Sequence, residues 1–150
     1  TPAAAVSALL LSDGRIVDPS GTAALPVSGI FQSKSYYIVL RHRSHAAAMS
    51  AAAPAFTSGS VSWDFTLGIG QYYGSGGARE LAAGQWGLWA GDADQDGAVD
   101  ENDFALWQGA ARSGTAGYVA ADLDLDGQVT TADYILWFEN ERAGAVTALP

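Results

Sequence analysis

The sequence predicts an all-β, immunoglobulin-like antiparallel sandwich over residues 1–90 and a small α module of two loop-helix repeats over residues 91–150. Three observations lead to this prediction: short apolar runs separated by turn residues, a duplicated Asp-Gly pattern, and a sharp change in charge near residue 90. A chain of 150 residues is long enough for two small domains of this kind.

The predicted strands lie in three apolar runs, at residues 6–11, 36–40 and 61–67, with Gly, Pro, Ser and Asp clusters between them. The clearest strand is residues 60–67, where apolar and polar side chains alternate. Short strands at this spacing, without long helical periodicity, favour an antiparallel sandwich. The Ala-rich segment 46–55 contains a proline and lacks an amphipathic stripe, so a loop or short strand competes with a helix there.

Charge is concentrated in the second part of the chain. Residues 1–90 hold five basic and four acidic groups, whereas residues 91–150 hold two basic and twelve acidic groups, for a total of −9. Nucleic acid binding is not expected, because phosphate contacts need clustered Lys and Arg. No cysteine is present, so thiolate metal sites are excluded and metal ligands are expected to be oxygens. No apolar stretch is long enough for membrane insertion.

An internal repeat gives the strongest functional signal. Shifting the chain by thirty residues superposes segment 91–99 on segment 121–129, and segment 103–107 on segment 133–137. Each copy fits the calcium-loop template D-x-[DN]-x-[DN]-G-x5-E with Asp in place of the final Glu. The repeats are therefore predicted to be EF-hand-like calcium loops, each followed by a helix starting near Asn102 or Thr131.

Calcium is a hard cation that takes oxygen ligands from alternating positions of such a loop and from its last residue. In the first loop these positions hold Asp92, Asp94, Asp96, the carbonyl of Ala98, Asp100 and Asp103. In the second loop they hold Asp122, Asp124, Asp126, the carbonyl of Gln128, Thr130 and Asp133. Gly97 and Gly127 occupy the sharp turn, and Val99 and Val129 are placed where the two loops could pair. We expect two Ca²⁺ per chain, stabilising a module with little apolar core.

The duplicated motif, Gly91-Asp92-x-Asp94-x-Asp96-Gly97-x-Val99 and its second copy, resembles the calcium-binding segment of type I dockerin domains over about residues 91–143. The preceding stretch is similar to β-rich regions found ahead of dockerin-like repeats at the C-termini of large secreted bacterial proteins. The resemblance implies two Ca²⁺ and, as in cellulosomal relatives, docking onto a cohesin domain. Those relatives often carry Ser-Thr at loop positions 10 and 11, where this chain has Glu101-Asn102 and Thr131-Ala132.

We therefore expect a non-catalytic, extracellular or cell-surface module that attaches or rigidifies the end of a larger secreted protein. Its partner is expected to be a protein, either a cohesin-like receptor or further copies of the chain. The alternative is a subunit of an extracellular filament or surface layer that assembles by β-strand exchange, with calcium for stability. Enzymatic function is not expected, because nine of the sixteen acids stand at predicted calcium-ligand positions, and the acids of residues 1–90 lie mostly in turns or on a predicted wet strand face.

Two further features have ordinary explanations. The segment 41–45, Arg-His-Arg-Ser-His, is the only basic cluster, and strand alternation predicts a solvated strand end with no convergent site. Tyr36, Tyr37, Tyr72 and Tyr73 could form a carbohydrate-stacking platform, but core or interface packing is the commoner role of such residues.

Overall fold

The computed structural model describes residues 2–11, 13–21, 25–31, 33–57 and 59–150. Its regular elements are short strands, two 3-10 turns and two α-helices. In chain order they are β1 (Leu9–Leu10), β2 (Ile16–Val17), β3 (Val39–His42), β4 (His45–Met49), 3-10 turns at Phe65–Leu67 and Ile69–Gln71, β5 (Arg79–Ala82), β6 (Gln85–Gly87), α1 (Glu101–Ser113) and α2 (Thr131–Arg142).

The strands pair only as three separate antiparallel hairpins within the described residues: β1 with β2, β3 with β4, and β5 with β6. The predicted immunoglobulin-like sandwich is therefore wrong, since a sandwich needs two larger sheets packed face to face. The chain has a small mixed α/β fold, and the predicted fold class of a sandwich followed by EF-hand-like repeats does not describe it. Strands of two to five residues present too little surface for sheet-on-sheet packing.

The strand predicted at residues 60–67 is also replaced by other structure. The side chain of Asp64 accepts hydrogen bonds from Thr66, at 2.8 Å from the backbone N–H and 2.7 Å from the hydroxyl. These bonds cap the 3-10 turn Phe65–Leu67, and no strand forms there. Local bonding by an Asp side chain thus outweighs the alternating pattern, which identifies a half-buried segment without requiring a strand.

The Ala-rich segment provides a strand, not a helix. Ala46, Ala47 and Ala48 of β4 are all buried. The backbone N–H of Ala46 donates to Trp89 O at 2.8 Å, and that of Ala47 donates to Thr147 Oγ1 at 3.0 Å. Small side chains are required here because other segments cover this strand closely.

The described chain divides into two compact units, Thr1–Tyr36 with Pro54–Ser62, and Tyr37–Ala53 with Trp63–Pro150. The second unit contains hairpins β3–β4 and β5–β6 together with both helices. The predicted division into 1–90 and 91–150 was drawn from composition and charge, and it stays a prediction about independent folding.

The helices follow from their capping residues. Asp100 caps α1 by accepting the N–H of Asn102 at 2.8 Å, and Thr130 caps α2 by accepting the N–H of Ala132 at 3.1 Å. Each helix has a reciprocal capping box with the Asp at its third position. The helices therefore begin within one residue of the predicted starts.

Two apolar clusters hold the second unit together. The first contains buried Ala90, Val99, Leu123, Trp137 and Ala145, with Trp89, Phe104, Tyr134 and Leu136 packed against it. The second contains Ala48, Tyr72 and Ala78, with Phe65, Ile69, Trp86 and Leu88 packed against it. Helices α1 and α2 meet through aromatic rings, including Phe104 and Trp137, whose centroids lie 5.0 Å apart. No helix in the described ranges combines the length and apolar character needed to span a bilayer.

Candidate metal centre

Three aspartates converge in each of the two Asp-rich loops. Asp92, Asp94 and Asp96 each offer one carboxylate oxygen within a 4.8 Å span, and so does the set formed by Asp122, Asp124 and Asp126. These are the first, third and fifth positions of each predicted loop. Either cluster could hold a metal ion.

The last aspartate of each loop braces the backbone of that loop. Asp103 Oδ1 accepts the N–H groups of Ala93 at 2.7 Å and Asp94 at 3.1 Å, while its Oδ2 accepts the N–H of Asp100 at 2.8 Å. Asp133 makes the same three bonds in the second loop, to Leu123 at 2.6 Å, Asp124 at 3.1 Å and Thr130 at 2.7 Å. Both side chains are buried, and their predicted role as metal ligands stays a prediction.

The two loops share a backbone conformation. In the first, the N–H of Asp96 donates to Asp94 Oδ1 at 3.0 Å and the N–H of Ala98 donates to Asp96 Oδ1 at 2.9 Å. The second repeats this pattern with distances of 3.1 Å and 2.7 Å. The non-glycine residues Gln95 and Leu125 both adopt a positive φ, at 64° and 66°. The thirty-residue sequence repeat is thus a repeat of local geometry.

The glycine predicted at the sharp turn is required by the backbone in both loops. Gly97 has φ of 98° and Gly127 has φ of 86°. Side chains with a Cβ rarely adopt this conformation, because the Cβ crowds the following carbonyl oxygen.

The remaining predicted ligands border the clusters. The carbonyls of Ala98 and Gln128 belong to residues that form isolated bridges with Val146 and Ala116, respectively. Asp100 and Thr130 cap the helices, as described above. The structure therefore brings three of the six predicted positions of each loop into the oxygen cluster. Of the other three, one forms a backbone bridge, one caps the following helix and one braces the loop backbone.

The two loops do not pair with each other through Val99 and Val129, contrary to the prediction. Val99 N–H donates to Ala145 O at 3.0 Å, and Thr147 N–H donates to Gly97 O at 2.7 Å, so the first loop pairs with the segment after α2. The second loop pairs with the segment after α1, through Gly117 N–H donating to Gly127 O at 2.7 Å. Each loop is therefore closed by the segment that follows the other loop's helix.

One buried carboxylate oxygen in each cluster lacks a hydrogen-bond partner. Asp92 and Asp122 are both only 2 % exposed, and Oδ1 of each accepts no hydrogen bond among the described residues. A buried acceptor without a donor costs about 1–3 kcal/mol, more for a charged group. A buried, unpartnered oxygen on an aspartate that belongs to a carboxylate cluster fits coordination of a cation, which would satisfy it.

The raised pKa values of several loop carboxylates also favour binding of a cation. Burial, together with the nearby carboxylates of Asp103, Asp94 and Asp96, raises the pKa of Asp92 to about 6, and the nearby backbone N–H of Gly97 opposes the rise. Burial is likewise the main cause of the raised pKa values of Asp103 and Asp124. Crowded carboxylates that are hard to ionise are relieved by a divalent cation, whose charge offsets their repulsion.

Arg43 is a residue of this region that the sequence analysis missed. It lies in the turn between β3 and β4, and its Nη2 forms an ion pair with Asp122 Oδ2 at 3.1 Å. Its Nε donates to Val119 O at 3.1 Å, and its guanidinium carbon lies 3.9 Å from the centre of the Tyr118 ring. The predicted solvated strand end is therefore wrong for Arg43. The only sequence signal was that the sole basic cluster occurs in a chain with a strongly acidic second half.

The two histidines beside Arg43 contact each other and not the oxygen clusters. Their Nδ1 atoms lie 3.0 Å apart, and buried Ser44 lies within hydrogen-bond distance of both. Burial, with smaller contributions from the neighbouring His42 and Arg43, lowers the pKa of His45 to about 3. His42 also has a lowered pKa, for which burial is the main cause. The pair is therefore built for neutral imidazoles.

Comparison of the chain with family models, with curated proteins and with solved structures gives no match.

Proposed function

We propose that the chain is a non-catalytic calcium-binding module that binds two Ca²⁺, one in each Asp-rich loop. The observation that carries this proposal is the buried, unpartnered carboxylate oxygen of Asp92 and of Asp122, each within a cluster of three aspartates. All the side chains in the clusters supply carboxylate oxygens, the ligand class that Ca²⁺ prefers. Softer metals favour nitrogen or sulfur ligands, and His42 and His45 lie outside both clusters.

The residues of this chain would supply the remaining requirements of a calcium site. Asp103 and Asp133 accept hydrogen bonds from loop amides and so brace the backbone that carries the three convergent aspartates of each loop. Bound Ca²⁺ supplies positive charge that compensates these carboxylates. Bracing of the backbone reduces the entropy lost when the cation binds.

Calorimetric titration of the calcium-depleted chain tests the proposal. We expect two Ca²⁺ per chain, and we expect Asp92→Asn and Asp122→Asn each to remove one of them. Asp13→Asn is the matched control, because Asp13 is an exposed turn residue paired with Arg15. A stoichiometry near zero, or equal binding by all three variants, would refute the proposal.

We further propose that this module attaches a larger secreted protein to a protein partner at the cell surface, in the manner of a dockerin-like module. Two features support this: millimolar calcium outside cells would keep both loops loaded, and α1 and α2 expose apolar side chains at Leu106, Ile135 and Phe138. Pull-down from native extracellular material with calcium, and again with chelator, checks it. Capture of the same protein under both conditions would contradict a calcium-dependent attachment.

Assembly into a filament or surface layer is the second candidate. Strand β1 pairs with β2 in a two-stranded sheet, and Leu9 and Leu10 of β1 are 45 % and 47 % exposed. An exposed apolar strand at a sheet edge can accept a strand from another copy. Particle imaging distinguishes the two candidates, because attachment predicts monomers and assembly predicts regular polymers.

A further inference from the structure

We propose that the two calcium sites are unequal, with the second loop binding more weakly than the first because Arg43 neutralises one of its carboxylates. This inference rests on the proposed calcium binding and goes beyond it. It assigns to Arg43, a residue outside both loops, the role of setting the affinity of the second site.

The calcium affinities of the two loops can be compared directly because the loops have the same local geometry. The braces from Asp103 and Asp133 match bond for bond, and the φ angles of Gln95 and Leu125 differ by only two degrees, at 64° and 66°. Each loop also has one orphan oxygen, on Asp92 or Asp122. Differences in calcium affinity must therefore come mainly from charge.

Charge differs at two places. The first loop has five aspartates at predicted ligand positions, whereas the second has four because Thr130 replaces the equivalent Asp100. Arg43 then pairs with Asp122, and among the described residues no ion pair involves an acid of the first loop. The formal charge is thus −5 around the first cluster and −3 around the second. Calcium affinity in such loops is tuned by the number of charged ligands and by rigidity.

Arg43 is held firmly in this position. Its side chain is 17 % exposed and that of Asp122 is 2 % exposed, so solvent screens the pair only partly. The guanidinium also contacts Val119 O, the Tyr118 ring and, at 3.2 Å, His42 Nε2. A bound Ca²⁺ at Asp122 Oδ1 would lie on the same carboxylate as this guanidinium, and the two positive charges would repel.

The backbone at Asp122 is held in place without Arg43. Residues Ala121 and Leu123 on either side are buried, and the N–H of Asp122 donates to Val119 O at 3.3 Å. Loss of the guanidinium therefore removes a positive charge and the hydrogen bond to Asp122 Oδ2, while the backbone of the loop keeps its own contacts. For this reason removal of Arg43 is expected to strengthen calcium binding at the second loop.

The test follows the backbone amide signals of Gly97 and Gly127 by NMR while CaCl₂ is added to the calcium-depleted full chain. Gly97 is expected to reach its midpoint at a calcium concentration about tenfold lower than Gly127, as expected for a site with more carboxylates. Arg43→Gln should lower the Gly127 midpoint about fivefold and leave that of Gly97 unchanged, since the charge removed lies close to one site only. Arg41→Gln, at an exposed position two residues away, should change neither midpoint.

Arg43→Lys separates charge from orientation, because it keeps the positive charge and loses the planar set of donors. The wild-type Gly127 midpoint is expected for this variant. Thr130→Asp gives an independent test that leaves Arg43 in place, and it should also lower the Gly127 midpoint. An unchanged or higher Gly127 midpoint in Arg43→Gln, or equal midpoints in the wild type, would overturn the inference. Absence of any calcium response at both glycines would instead overturn the proposed function on which it rests.

Discussion

The indole N–H of Trp107 in α1 donates a 3.0 Å hydrogen bond to the backbone carbonyl of Thr130, which caps α2. Trp137 in α2 makes the reciprocal bond, 2.9 Å long, to the carbonyl of Asp100, which caps α1. Each helix thus holds the capping residue of the other repeat. Because these capping residues also stand at predicted ligand positions, the bonds connect the packing of the helices to the shape of both loops.

Trp107→Phe is expected to destabilise the protein by about 1–3 kcal/mol, since the carbonyl of Thr130 loses its donor and the smaller ring leaves space. Trp137→Phe should cost at least as much, because Trp137 is more deeply buried. Urea denaturation at saturating calcium measures both. The control is Tyr118→Phe, at a residue 83 % exposed, for which a cost of similar size would argue against a specific role for the indole bonds.

Removal of calcium is expected to loosen the loops and the first turns of α1 and α2. At free calcium of 100 times Kd, each site would contribute about 2.7 kcal/mol to the stability of the folded state. Amide exchange with and without chelator measures the effect by region. We expect protection to fall mainly beyond about residue 91, and equal protection under both conditions would show that calcium does not stabilise this region.

Gly127→Ala is expected to destabilise the second loop by about 1–2 kcal/mol, because its φ of 86° strains any residue with a Cβ. Apart from the adjacent residues, no atom of the described chain lies within 4 Å of the position of the added Cβ, so the effect would come from backbone strain. Gly109→Ala is the matched control within α1, where Ala is favoured over Gly by about 1 kcal/mol. In thermal denaturation, Gly127→Ala is expected to lower the melting temperature and Gly109→Ala to raise it. An unchanged melting temperature for Gly127→Ala would contradict the requirement for Gly.

Asn140→Ala is expected to cost about 1–3 kcal/mol, because a buried hydrogen bond would be lost. Asn140 is 1 % exposed, its side-chain amide donates to Ala90 O at 2.7 Å, and its carbonyl oxygen accepts a hydrogen bond from Arg79. Glu139→Gln removes only the more exposed ion pair with Arg79 and should cost less than about 1 kcal/mol. Urea denaturation measures the free energy of unfolding of both variants. Equal losses in the two variants would show that burial of Asn140 is unimportant.

Acidification is expected to destabilise the protein through its histidine pair. The pKa of His45 is lowered to about 3 in the folded state, whereas in the unfolded chain it has the ordinary histidine value of 6.5, so the unfolded chain binds more protons between these two pH values. This contribution to stability is complete above about pH 6.5 and is lost progressively as the pH falls towards 3. His45→Gln should therefore show a shallower loss of stability between pH 7 and pH 5 than the wild type. Denaturation midpoints with parallel pH dependence in both proteins would contradict this expectation.

The sequence by itself determined the features that depend on neighbouring residues. The Asp-rich loops, their glycine turns and the starts of α1 and α2 follow from local rules, because each involves bonds within about a dozen residues. The thirty-residue repeat then predicted that the second loop and helix have the same local structure as the first. For this reason the convergence of the two aspartate clusters could be predicted without a structure.

The tertiary structure alone decided which distant segments meet. Alternation in residues 60–67 indicated a half-buried segment, but it could not specify a strand partner, and Asp64 turned the chain instead. The sandwich failed because period and propensity describe one strand at a time, whereas a sheet depends on pairing between strands. The ion pair between Arg43 and Asp122 spans 79 positions in the chain. Such contacts are set by the packing of the whole unit, and no local pattern in the sequence records them.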